Sequence, residues 1–182
     1  MTEGMVETLA VAPVEGCAPD IGQALWALED ARRRTLEALA GLREETLDWS
    51  PPAGGNTVGT LLYHIAAIEL DWLYVEVLQA PEPWPEEVTR FFPVDVRDEH
   101  GALTCRDGEP LSAHLARLDA VRARLLATFR AMPPADFRRL RSLPAYRLTP
   151  EWVLHHLCQH EAEHRGHIAL LRSWAEGTPP PQ

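Results

Sequence analysis

Five of the eight histidines in this chain fall within the short segment HHLCQHEAEHRGHIALL, residues 155–171. On a helix, His156, His160, His164 and His167 would lie within roughly 80° of arc, on the same side as several apolar residues. Burying imidazoles among aliphatic side chains is costly unless each ring nitrogen has a partner. One divalent metal ion satisfies two or three imidazoles together, and two histidines four residues apart can bind the same ion. The segment therefore predicts a metal site that faces the core.

A metal site of this kind needs a further protein ligand from another helix. His64 is the best candidate because it lies at the edge of the apolar stripe of an earlier helical segment. His100 falls in an irregular connection and His114 lies beside an apolar stripe, so both have weaker positional arguments. The predicted ligands are His64, His160 and His164. Zinc or nickel is the first expectation for the ion, with iron or manganese as alternatives.

Other polar residues lie near this pattern, and the sequence leaves their roles open. His155 points away from the cluster, so an ordinary surface position is expected. His156 and His167 lie about one turn from the ligand pair, and each could be a further ligand, a hydrogen-bond partner of a ligand or polar lining. Asp71, two helical turns after His64, is a possible hydrogen-bonding carboxylate for that histidine.

The letters HEAEH, which begin at His160, also match the HExxH pattern of zinc proteases, in which the glutamate acts as general base. The longer metzincin pattern fails because Gly166 falls one position early and no histidine follows at the required place. The predicted fold also lacks the strand with which a protease commonly pairs a peptide substrate. Glu161 and Glu163 point off the predicted metal-facing arc, so both are expected to be solvated helix charges. A metal-dependent hydrolase remains a minor alternative.

Four amphipathic helices are predicted to position these residues, because apolar side chains recur at three- and four-residue spacing. The expected ranges are 20–42, with Asp20 as cap; 58–80; 111–132, with Pro110 at the first helical position; and 150–175, between a Thr149 cap and Gly177. A long, proline-rich, irregular connection over about 81–110 joins the second and third helices. The expected fold class is all-α, a four-helix bundle over residues 20–176, with an arm at 1–19 and a proline-rich tail at 177–182.

Composition limits the possible functions. The 182 residues, 46% of them hydrophobic, fit one domain with one core. A formal charge of -10 argues against nucleic acid as a partner. All 17 basic residues are arginine, which excludes lysine nucleophiles and Schiff bases. Three cysteines without a CxxC motif favour a reducing, cytoplasmic compartment, and no apolar run is long enough to predict a membrane span.

Two separated segments, GGNTVGTLLYHIAAIELDWL and HEAEHRGHIALLR, together with the passage VRDEHGALTCRDGEPLSAHLARLDAVR between them, resemble the DinB-like (YfiT-like) superfamily of bacterial metalloenzymes. The likeness extends over most of residues 20–175. It implies a four-helix bundle, often a homodimer, with a three-histidine metal site drawn from the second and fourth helices. Matching positions again gives His64, His160 and His164. The sequence departs from the family at His167, where relatives often carry Gln, and this change could alter the fourth coordination position.

The resemblance also implies a class of reaction. Characterised members are commonly thiol-dependent transferases or isomerases that act with low-molecular-weight thiols such as bacillithiol or mycothiol. A coordinated thiol is deprotonated near neutral pH, so the metal would bind and activate the thiol as thiolate. The first hypothesis is therefore a metal-dependent thiol S-transferase or isomerase with a small-molecule substrate. The alternative is a metal-dependent binding or stress-response bundle without turnover.

Overall fold

The computed structural model describes residues 8–177. The described chain is mainly helical, which confirms the all-α prediction. Its elements in chain order are α1 (Pro19–Leu39), α2 (Glu44–Leu47), α3 (Val58–Asp71), a π-helix (Trp72–Val77), α4 (Glu86–Thr89), α5 (Leu111–Arg130), α6 (Pro134–Phe137), β1 (Arg141–Ser142), β2 (Arg147–Leu148) and α7 (Pro150–Glu176). The two short strands pair antiparallel, with Arg141 opposite Leu148.

The four long helices, α1, α3, α5 and α7, pack around one core. Helix α1 contacts α7 and α5, and α3 contacts α5 and α7, so each long helix has two long neighbours. Every one of them contributes fully buried aliphatic side chains, among them Leu28, Leu62, Val121 and Val153. Because apolar residues at helical spacing line one side of each helix, burying these stripes together stabilises the bundle.

The ends of α7 agree with the sequence. The Thr149 hydroxyl accepts a hydrogen bond of 3.2 Å from the backbone N–H of Trp152, which caps the helix. Gly177 follows the last turn with a φ of 63°, a left-handed conformation that glycine adopts without a steric penalty. Helix α7 therefore has well-defined ends on both sides of the histidines.

Two predicted helix starts are wrong. Helix α1 begins at Pro19, so Asp20 lies inside the first turn, where its carboxylate accepts from the N–H of Ile21 at 3.0 Å. Proline suits the first helical position because its missing N–H would have no partner there. Pro110 is not helical but extended, with a ψ of 154°, and the third long helix begins at Leu111. Its N-terminus has no side-chain cap.

The second predicted helix changes its winding instead of running unbroken to residue 80. Helix α3 ends at Asp71 and the next six residues form the π-helix, which widens the turn around Trp72. The connection that follows is irregular, as predicted. It packs onto α3 through the hydroxyl of Tyr63, which donates a hydrogen bond to the carbonyl of Val94. Within this connection, Arg97 and Leu103 form an isolated antiparallel β-bridge.

The predicted terminal segments lie partly outside the described residues, at 1–7 and 178–182. In the described part of the arm, Val14 and Cys17 pack against the core, and the Val14 N–H donates to the Gly22 carbonyl at 3.0 Å. A Cβ on Gly22 would lie 2.5 Å from the Val14 carbonyl oxygen, so glycine allows this close approach. Within residues 8–177, no helix has both the length and the apolar character that crossing a membrane demands.

Candidate metal centre

The structure brings the three predicted ligands together. His64 projects from α3, and His160 and His164 project from α7. The Nε2 atom of His160 lies 3.0 Å from Nε2 of His64 and 3.1 Å from Nε2 of His164. One nitrogen from each ring lies within 4.8 Å of the other two. Since α3 and α7 pack directly against each other, residues 96 positions apart in sequence form one cluster.

Hydrogen bonds among the three imidazoles cannot satisfy all the ring nitrogens of this cluster. A neutral imidazole nitrogen either donates a hydrogen bond or accepts one. His160 Nε2 has one proton or one lone pair, and either of them must serve both His64 and His164. At least one of the two contacts is therefore left weak. A divalent cation would accept a lone pair from all three nitrogens together, so the set of donors fits a metal ion.

The electrostatics of the cluster favour neutral, ligand-competent imidazoles. Burial lowers the pKa of His64 to about 4, and repulsion from His164 and Arg97 acts in the same direction. Burial also lowers the pKa of His160 to about 3, helped by the positive forms of His164, His64 and His156. Metal binding requires the deprotonated ring. At neutral pH a cation could therefore bind here without first displacing protons from these two histidines.

Two further histidines extend the cluster along α7. His167 is exposed, and its Nδ1 lies 3.4 Å from Nδ1 of His164. If His164 binds a metal through Nε2, its Nδ1 carries the proton and can donate to His167. His156 stacks on Trp152, with ring centroids 5.2 Å apart, and its ring lies 6.0 Å from that of His160. His167 therefore lies beside a predicted ligand, whereas His156 belongs to an aromatic cluster next to the triad.

The other histidines lie away from the triad. His155 and His100 are exposed, which agrees with the surface position expected for His155. His114 is completely buried on α5, where its Nδ1 lies 3.1 Å from the guanidinium of Arg117. Its Nε2 has no hydrogen-bond partner among the described residues.

Asp71 does not act as the hydrogen-bonding carboxylate suggested from the sequence. The Nδ1 atom of His64 is buried and has no hydrogen-bond partner in the described part of the chain. Asp71 instead lines a separate cavity of about 440 Å³ together with Trp84 and Phe92. Burial raises the pKa of its carboxyl group.

Four charged residues, one from each long helix, are buried together in the bundle, and their burial was not predicted from the sequence. They are Arg32 on α1, Glu69 on α3, Arg122 on α5 and Glu161 on α7, and none is more than 5% exposed. Each arginine contacts both glutamates. Arg32 reaches Glu161 at 2.7 Å and Glu69 at 3.1 Å, and Arg122 reaches both glutamates at 2.8 Å. The two helices that carry the predicted ligands are thus connected through arginines of the other two. We call these four residues the buried charge network.

The expectation that Glu161 is a solvated charge is wrong, because only 1% of this residue is exposed. Helix α7 packs against α1 as well as α3, so the face that points away from the metal ligands is also interior. Glu163 is exposed, as expected. The glutamate of the HExxH pattern is therefore held in ion pairs, with one oxygen toward Arg32 and the other toward Arg122.

The fold and the site together define a helical bundle in which three converging histidines could bind a metal ion. A family model described as the DinB superfamily matches residues 27–168, a range that includes all three histidines. The chain belongs to the DinB superfamily, as its sequence predicted. No curated protein matches the chain with significant similarity.

Proposed function

We propose that this protein binds one divalent metal ion through His64, His160 and His164 and acts as a metal-dependent thiol S-transferase or isomerase. The observation that carries the proposal is the convergence of three imidazole nitrogens within 4.8 Å of one another. Zinc or nickel is the expected ion, with iron or manganese as alternatives. Imidazole nitrogen is a common ligand for zinc, nickel and iron, so the ligand set alone does not select one.

Three protein ligands leave coordination positions open, which is typical of catalytic rather than structural sites. A bound divalent ion supplies Lewis acidity and lowers the pKa of a coordinating thiol. A cavity of about 300 Å³, lined by His167 together with Asn56 and Trp174, offers space for a small ligand beside His167, which in turn contacts His164. These features support a reaction in which a small thiol enters the site.

In S-transfer the thiol loses its proton and its sulfur forms a bond to an electrophilic carbon of the second substrate. That carbon gives up one bond in return: a leaving group departs with its bonding electron pair, or, in an addition, the π electron pair moves to the neighbouring atom. The protein's part is to hold the reactants and accept the thiol proton. His167 is exposed and can accept the Nδ1 proton of His164, so its part is to orient that ligand rather than to take the thiol proton.

The state of Glu161 favours thiol chemistry over hydrolysis. A general base in an HExxH hydrolase must reach a water molecule with a free carboxylate oxygen. Both oxygens of Glu161 are occupied by arginines in the interior of the bundle, at 2.7 and 2.8 Å. This glutamate is thus better suited to holding helices together than to activating water.

The first experiment is elemental analysis of untagged protein. We expect close to one metal ion per chain, lost in His64→Ala and His160→Ala but retained in His155→Ala, whose histidine is on the same helix and exposed. A wild-type protein that is metal-free and refuses added zinc, nickel and manganese would contradict the proposal. Circular dichroism of each variant separates loss of metal from loss of fold.

The thiol step is tested on cobalt-substituted protein. A thiolate that binds cobalt produces a sulfur-to-metal charge-transfer band in the near ultraviolet. We expect this band on addition of bacillithiol or mycothiol, and a smaller or absent band with their S-methylated forms. A metal-loaded protein that shows no such band with either thiol would instead support the binding bundle without turnover.

A further inference from the structure

A cavity of about 470 Å³ lies where the β1–β2 hairpin meets the first turn of α7. Its walls are largely aromatic and aliphatic, with Trp72, Tyr146 and Trp152 as the rings and Leu148 among the aliphatic side chains. Arg147 is the one charged side chain among the described residues that line it. No part of this cavity enters the function proposed above.

The aromatic wall continues to the histidine triad. The rings of Trp152 and His156 are stacked, with 4° between their planes, and the ring centroids of Trp72 and His156 are 4.2 Å apart. The ring centroids of His156 and His160 are 6.0 Å apart. One imidazole ring therefore separates the cavity wall from a predicted metal ligand.

Two of the three rings in this wall are exposed to solvent over much of their surface. Tyr146 and Trp152 are each 46% exposed. Aromatic rings contribute much of the binding energy of ligand sites because they bury a large area and stack on flat molecules. The Tyr146 ring is held in place by its hydroxyl, which donates to Glu76 at 2.8 Å. A fixed and exposed ring is ready to receive a ligand without further ordering.

The charge of the cavity selects the ligand further. No carboxylate of the described residues pairs with Arg147, although most arginines of the chain have such a partner. Glu76 lies close to Tyr146 but is only 4% exposed, so its carboxylate is not presented to the cavity. A negatively charged group at the mouth would therefore meet an unpaired guanidinium.

We propose that this cavity binds a flat, ring-bearing organic molecule with an anionic group, stacked against Trp152 and Trp72 and paired with Arg147. Because one face of the Trp152 ring is stacked on His156, the molecule would stack on the other face, with the His156 ring between it and the triad.

The test uses two fluorescent probes of similar shape. The first is 8-anilino-1-naphthalenesulfonate, which has aromatic rings and a sulfonate; the second is N-phenyl-1-naphthylamine, which has the same rings without the charge. We expect Trp152→Ala to weaken both probes about tenfold, because a stacking wall is lost. We expect Arg147→Gln to weaken the sulfonate probe about threefold, as an exposed ion pair would, and to leave the neutral probe unchanged.

Trp26→Ala is the matched control, because Trp26 lies half-buried on α1 and lines a cavity that neither proposal uses. Its affinity for both probes should stay within twofold of the wild type. Equal weakening by Trp152→Ala and Trp26→Ala, or no binding of either probe by the wild type, would overturn the proposal. Far-ultraviolet circular dichroism checks that each variant is folded.

A second copy of the chain is the other possible occupant of this face. If the wild type excludes the probes and light scattering shows a dimer that Trp152→Ala converts to monomer, the surface is an interface and the small-molecule site is rejected. Adjacency to the metal centre has its own readout. Cobalt in the triad should quench the bound sulfonate probe relative to zinc, because cobalt absorbs visible light; unquenched fluorescence would show that the probe is not bound beside the triad.

Failure of this proposal and failure of the metal proposal are distinguishable. Metal content is measured on the same preparations, and the probe titrations are also run on metal-free protein. Probe binding that responds to Trp152→Ala in protein unable to bind metal would retain the cavity and reject the metal centre. Full metal content without specific probe binding would retain the metal centre and reject the cavity as a ligand site.

Discussion

The carboxylate of Glu161 accepts a hydrogen bond of 2.8 Å from the guanidinium of Arg122, and both residues are almost completely buried. Removing charges from water costs several kcal/mol per ion, and close, well-aligned partners offset that cost. Both oxygens of Glu161 have such partners, since Arg32 binds the second one. The helix that carries His160 and His164 is thus fixed relative to its neighbours one residue away from a predicted ligand.

Replacing Glu161 with alanine should destabilise the protein by about 3 to 5 kcal/mol, because two arginines would remain buried with one glutamate between them. Glu163→Ala, two positions along the same helix and exposed, should change the free energy of unfolding by less than about 0.5 kcal/mol. Urea denaturation at pH 7 measures both values. Similar losses in the two variants would show that the buried charge network does not stabilise the fold.

The apolar periodicity predicted all four long helices, and the phase of the histidines predicted which of them converge. The buried charge network was missed, although it has a signal in the sequence. Its members follow core residues by four positions, in the pairs Leu28–Arg32, Ile65–Glu69, Leu118–Arg122 and Leu157–Glu161. Each charge is therefore in phase with an apolar stripe.

The missed charges have a general explanation. Charged residues are rarely fully buried unless they are paired. A single helix does not reveal its partner, and pairing depends on how four helices pack together. The same limit applies to His156, whose place between the triad and Trp152 follows from the packing of α7 against Trp72. The side of a helix on which a residue lies can be predicted from the sequence. The contacts between helices are seen only in the assembled bundle.

Added zinc should raise the melting temperature of metal-free protein. At a free concentration of 100 times Kd, a ligand that binds only the folded state stabilises it by about 2.7 kcal/mol, which corresponds to roughly 5 to 10 °C for a chain of this size. His164→Ala should lose this shift, and His155→Ala should keep it. Differential scanning calorimetry over a range of zinc concentrations measures the effect. A full shift in His164→Ala would exclude His164 as a ligand.

The stability of the metal-free protein should depend on pH through the buried histidines. The pKa of His64 is lowered to about 4 and that of His160 to about 3, from an ordinary value near 6.5. Between these values the unfolded chain binds more protons than the folded one. Stability is therefore fully present above about pH 7 and is lost as the pH falls through 6.5 toward 4.

Each of these two histidines should remove roughly 2 kcal/mol from the free energy of unfolding when the pH falls from 7 to 5. His160→Leu should lose less stability over this interval than the wild type, because one titrating group is gone. His155→Leu replaces an exposed histidine of the same helix and should keep the wild-type slope. Denaturation in the presence of a chelator measures all three proteins, and an unchanged slope in His160→Leu would contradict the buried, neutral state of His160.

His167 should control metal affinity through His164. The two Nδ1 atoms lie 3.4 Å apart, so a proton on Nδ1 of His164 can be shared with His167 while Nε2 faces the metal. Removing a hydrogen-bond partner of a ligating histidine commonly weakens metal binding 10- to 100-fold, and about tenfold is expected for His167→Ala. His167→Gln should recover most of the affinity, because a glutamine carbonyl can accept the same proton. Competition with a colorimetric zinc chelator gives the affinities, with circular dichroism as a folding control; equal losses in the two variants would show that His167 does not act by accepting this hydrogen bond.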